Sequence, residues 1–180
     1  MMTGPAGTED PVGRLAGDLA ELRDQLDKGS VQRAYAAIVG YMSRLRAHFA
    51  GRDGERAVSG VYQGCFDMTY FALFPPALKS RDLKLAVVFD YEAFKFEVWL
   101  AARNRKVQRR YWELFRDGGW SRCRLVEPAT GVDAIVEHAV GSGFELDDPE
   151  ALTAKIEVTT AAFLVELERF LETHDPGRVV

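Results

Sequence analysis

The sequence predicts an α+β fold, an antiparallel sheet of three to four strands with helices packed on it, and three observations predict it. Apolar residues recur at helical spacing toward both ends of the chain, they alternate at period two in the middle, and no βαβ unit repeats. The expected element order is α-α-β-β-β-α-β-α-α. At 180 residues with 47% hydrophobic and 28% charged residues, the chain can bury a core without metals or disulfides and is not of disordered composition.

The elements follow in order. Residues 1–12 mix glycine, proline, threonine and acids and read as a disordered tail, without the basic start and apolar run of a secretory leader. Leu15, Leu19, Leu22 and Leu26 form a helical stripe that Gly29 ends, and Ser30 starts a second helix bearing Tyr35, Ile38, Met42, Leu45 and Phe49. So short a connection predicts an antiparallel helix pair. From residue 65 to 74 the period shortens: Phe66, Met68 and Tyr70 alternate with Asp67 and Thr69 until Pro75 and Pro76 end the strand. Leu83, Leu85, Val87 and Phe89, then Phe94, Phe96, Val98 and Leu100, alternate on either side of a short connection and predict a hairpin.

Asn104 caps a third helix carrying Val107, Tyr111, Leu114 and Phe115, which Gly118 and Gly119 stop. A strand at 122–127 follows. Val132, Ile135, Val136 and Ala139 fit a short helix over 131–140. Asp147, Asp148 and Pro149 open the last helix, which Leu152, Ile156, Phe163, Leu167, Phe170 and Leu171 carry to about Thr173. One domain over 13–174 and a C-terminal tail over 175–180 are therefore expected.

Several function classes lose support. No apolar stretch reaches the roughly 18 residues of a membrane span, so a cytoplasmic protein without membrane association is expected. Cys65 and Cys123, both inside predicted strands and without CxxC spacing, read as packed, reduced thiols. His48, His138 and His174 lie far apart, so no metal is expected, and no cofactor is implied because phosphate loops, dinucleotide fingerprints and nucleophile elbows are missing. Asp133 and Glu137, one helical turn apart beside His138, are a spacing that chance on an exposed helix readily supplies.

Strand parity supplies the candidate site. If Phe94, Phe96, Val98 and Leu100 are buried, Lys95, Glu97 and Trp99 emerge together on the reverse face, with Lys84 from the partner strand. Asp67 and Thr69 are expected beside them, giving acids, lysines and an indole able to form a polar pocket with Trp99 as a stacking floor. The plainer reading of such a face is a solvated set of cross-strand charge pairs.

Two other chemistries use the same region. A PD-(D/E)xK nuclease would need Glu97, Lys95 and an acid from Asp67 or Asp90 around a metal, but the lysine precedes the glutamate here. Nucleic acid is a possible but not favoured partner. The chain carries a formal charge of -4 at pH 7, yet eight cations stand against two acids between Arg103 and Arg124, among them Arg105, Lys106, Arg109 and Arg110 on the third helix.

The strings V-Y-Q-G-C-F-D-M-T-Y-F at 61–71, L-K-L-A-V-V-F, and F-E-V-W-L-A-A-R-N-R-K-V-Q resemble an uncharacterised bacterial family of small domains of unknown function. The resemblance covers most of the chain beyond the tail. It implies a stand-alone cytoplasmic α+β domain without an established activity, and it places the polar signature on Tyr62, Gln63, Asp67, Thr69, Glu97, Trp99, Asn104 and Gln108. Ala102 stands where relatives tend to have glycine. The expected function is a binding or regulatory module for a small ligand or a protein partner, with an enzyme using Asp67 and Glu97, or a nucleic-acid-binding domain, as alternatives.

Overall fold

The computed structural model describes residues 11–52, 57–141 and 146–176, so most of the expected N-terminal tail and the last four residues lie outside it. Two compact units divide the chain, Met1–Gly40 and Tyr41–Val180. In the first, α1 (Pro11–Asp27) meets the start of α2 (Ser30–Arg52) at Gly29, whose φ of 68° is the left-handed conformation glycine adopts most cheaply. The expected antiparallel pair does not close within this unit. Leu15, Leu19, Leu22 and Leu26 stay 39–58% exposed, and polar side chains occupy the turn: Gln32 donates to the Leu26 carbonyl at 2.8 Å, and Arg33 lies against Gly29.

The second unit is α+β. Its strands are β1 (Ala57–Val58), β2 (Tyr62–Gln63), β3 (Met68–Phe74), β4 (Leu83–Asp90), β5 (Lys95–Ala102), β6 (Arg124–Leu125) and β7 (Ala134–Ala139). Its helices after α2 are α3 (Pro76–Lys79), α4 (Arg105–Asp117) and α5 (Pro149–His174). All seven strands pair antiparallel in one sheet of order β1-β3-β4-β5-β7-β6, with β2 also on β3, rather than the three to four strands expected. The surplus consists of two-residue strands, too short to show a period, and of β7.

β7 corrects the expected helix over 131–140. A bulge between Leu100 and Ala101 sets Leu100 opposite Val136 and Ala101 opposite Ala134, so Ile135 is an extra residue and Ala134, Ile135 and Val136 are all buried. Three consecutive buried residues erase the alternation that marks a strand.

The expected β4–β5 hairpin forms, with Leu85 opposite Leu100 and Phe89 opposite Phe96. Phe94 is not in it: with φ of 50° it belongs to the turn and is exposed, although its ring stays near that of Phe89. β3 likewise begins at Met68 and not at Cys65, since Phe66, at φ of 59°, lies in the preceding bend. Cys65 is therefore exposed, against expectation, and Cys123 is half-buried outside any strand.

Caps act as read. Asn104 accepts the Val107 N–H at 3.0 Å and Asp148 the Ala151 N–H at 3.0 Å. One sheet face carries Phe71, Phe89, Phe96 and Val98 and meets helices, with Tyr41 and Phe49 of α2 edging Phe96 and Phe71, and Phe163 of α5 beside His138. Beyond α5, Asp175 is not loose: Arg81, Arg110 and the Tyr111 hydroxyl all hold it.

Candidate functional site

Cross-strand register decides what shares the other face. Tyr62, Tyr70, Val88 and Glu97 form one row across β2–β5, and Ala72, Ala86, Trp99, Glu137 and Arg124 form the next. Ala86, Val88, Trp99, Val126 and Ala134 make a small buried cluster there, flanked by Met68, Tyr70 and Val132, and no helical residue enters it. The connection before β7 contributes Val126 to this cluster and packs Val132 against it.

Glu97 is 4% exposed and Trp99 8%. Burying a carboxylate this far from water is costly unless charge and hydrogen bonds partner it. Both are present: Lys95 Nζ lies 2.7 Å from Glu97 Oε1, and the Trp99 indole N–H donates to Oε2 at 2.6 Å. The ammonium is held above its usual range, first by its hydrogen bond to Glu97. Glu137, opposite Trp99 and paired with Arg124 at 3.1 Å, is pushed up by burial and then by the neighbouring Glu97 charge. Tyr70 carries the Lys84 ammonium 5.6 Å from its ring centre and the Tyr62 ring at 5.1 Å, and burial raises its phenol.

This grouping corrects the expected one. Thr69 pairs with Phe89 and is buried on the helix-covered face, where its hydroxyl meets the Tyr91 hydroxyl at 3.1 Å. Gln63, opposite Thr69, follows the same parity. Asp67 is exposed in the bend before β3, where one oxygen accepts the Met68 N–H at 2.6 Å. Gly64 belongs to that bend, because a Cβ there would strike Asp67 and approach the Met68 carbonyl oxygen to 2.6 Å. Asp67 and Glu97 are thus not a carboxylate pair.

Trp99 is too covered to act as an open stacking floor. Asn104 spends its side chain on the cap, and Gln108, buried, donates to the carbonyls of Val132 and Ala134 at 2.8 and 3.0 Å, fastening α4 to the approach of β7. Of the ten expected residues, Tyr62, Lys84, Lys95, Glu97 and Trp99 come together.

Tyr70, Glu137 and Arg124 join them unexpectedly. Tyr70 was legible in the D-M-T-Y string once its parity was set, whereas Glu137 was hidden by the helix read over its strand. Asp133 and Glu137 do not form a group with His138, which points to the helix side and has its Nδ1 2.8 Å from Cys123 Sγ. Burial pushes that thiol up to about 11, the direction opposite to a reactive thiolate.

Among the described residues no cluster of three or more His, Cys, Asp or Glu is placed to hold a metal. The basic stretch is largely matched by acids: Arg105 pairs with Asp133, Arg110 with Asp175, Arg116 with Asp117, Arg122 with Glu166 and Arg124 with Glu137. Such pairing leaves little uncompensated charge for phosphates. Cavities of about 310 and 370 Å³ lie elsewhere, beside Trp120 and Arg169 and beside Arg109 and Thr130, while one of about 280 Å³ beside Lys79 and Arg103 borders the site at Lys84.

The model of a family described as a domain of unknown function, DUF7000, matches residues 15–171. The chain belongs to that family. DUF7000 thus spans both the exposed leucine stripe of α1 and the whole sheet. No curated protein and no solved structure matches the chain. Among the described residues no helix of this DUF7000 member is long and apolar enough to cross a membrane.

Proposed function

We propose that this chain is a protein-binding module whose contact surface is the sheet face built on Glu97 and Trp99. The observation that carries this reading is the Lys95–Glu97–Trp99 network, its glutamate and indole buried and its lysine half-exposed, on a face whose apolar cluster contains no helical residue among those described. Such a network fixes the strands beneath it in one arrangement and leaves the tyrosines above it free for contact. Exposed Tyr62 and half-buried Tyr70 and Met68 form an aromatic and thioether centre, rimmed by Lys84, Lys95, Glu137 and Arg124. That composition, apolar and aromatic in the middle with charge of both signs at the edge, is that of protein contact surfaces. Glu97 is 4% exposed, with one oxygen on the Lys95 ammonium and the other on the indole N–H, an arrangement that supports binding by the surrounding surface over catalysis by the carboxylate.

A photo-crosslinking amino acid placed at Tyr62, and separately at exposed Val158 on α5, tests it in cells. The expected result is a discrete adduct from position 62 that Tyr70→Ala abolishes and that position 158 does not give. Identical adducts from both positions, or none from position 62, overturn the reading.

A further inference from the structure

In the first unit, α1 is a 17-residue helix whose Leu15, Leu19, Leu22 and Leu26 are all exposed. An isolated helix of that length is marginal in water, and leucines in a row on it are an apolar stripe without cover. Their spacing of four, three and four residues puts Leu15 and Leu22 at d and Leu19 and Leu26 at a of two successive heptads, the seam of a coiled coil. We infer that this stripe is covered by the α1 of a second copy of the same chain, the two helices running parallel.

Charge complementarity selects both the partner and the direction. With that register Asp18 occupies g and Arg23 occupies e. In a parallel pair the g residue of one helix faces the e residue five positions later in the other, so Asp18 of each copy meets Arg23 of its partner, twice by symmetry. Antiparallel helices would set Asp18 opposite Gln25 and Arg23 opposite Ala16, pairing no charges. Arg23 can turn to a partner, since among the described residues its ion pair is a loose one of 3.9 Å to its exposed neighbour Asp24. Gln25 donates to Glu21 on its own helix at 2.6 Å.

Sedimentation of the full chain over a concentration series tests this. A monomer–dimer equilibrium is expected, with Leu22→Glu weakening dimerisation at least about a hundredfold because two buried leucines are lost at once. Asp18→Arg alone should weaken it several-fold through like charges, and Asp18→Arg with Arg23→Asp should restore it. A chain that is monomeric throughout, or a dimer indifferent to Leu22→Glu, overturns the inference. A dimer that needs the leucines but ignores Asp18→Arg overturns the parallel pairing. A monomer whose melting temperature falls with Leu22→Glu gives the stripe to the chain's own fold and overturns it as well.

Discussion

Phe96 and Glu97 are neighbours in β5, stand on opposite faces of the sheet, and are both almost fully buried. They reach that state by different means. Phe96 is enclosed by rings, with Tyr41 at 5.5 Å and Phe89 at 5.1 Å, under helices. Glu97 is held by its own partners, a lysine on one oxygen and an indole on the other, and that indole is itself packed in a cluster with Val126. Apolar packing supplies most of a domain's stability and is indifferent to direction, whereas a satisfied polar network contributes little net energy but permits few arrangements. The helix-covered face therefore holds the domain together, and the other face holds a surface in shape.

The largest effect that separates the two faces is Phe96→Ala, which should cost about 3 to 5 kcal/mol in denaturant unfolding through lost burial and a cavity. A loss below about 1 kcal/mol would mean that the helices do not rest on this residue.

The helix side should also answer to alkaline pH. The Tyr111 hydroxyl donates to Asp175 at 2.8 Å, and burial, then that bond, push the phenol up to about 12 from its ordinary 10.0. Between those values the folded state keeps a proton that the unfolded state has released, so stability falls as pH rises through the interval. Wild type should lose about 2 kcal/mol more than Tyr111→Phe between pH 10 and 12, read by parallel unfolding titrations. Equal losses in the two proteins would mean that the Tyr111–Asp175 hydrogen bond does not hold the phenol protonated.

The smallest effect belongs to the polar face. Glu97→Gln keeps an acceptor for the indole and gives up the ion pair with the half-exposed Lys95, so about 1 to 2 kcal/mol is expected. If that variant instead matched Phe96→Ala in cost, the network would be holding the fold and not only shaping a surface.

Local signals made much of this legible. The hairpin showed in its alternation, α4 in Asn104 and its apolar stripe, and α5 in Asp148 followed by Pro149, because each signal lies within a few residues of what it specifies. The parity of β5 was enough to bring Lys95, Glu97 and Trp99 out together. Thr69 was misassigned because the residues of β3 fix only which of them share a face, and the pairing with β4 fixes which face that is. Tyr70 replaced it for the same reason.

Sequence alone determined the hairpin, the capped helices and the company that Glu97 keeps within its own strand, since period and capping are properties of neighbouring residues. Only the tertiary structure decided that 134–139 is a strand and that Tyr70, Glu137 and Arg124 stand beside Glu97. A bulge and a cross-strand register arise between segments distant in the chain, and no single segment carries the information to set them.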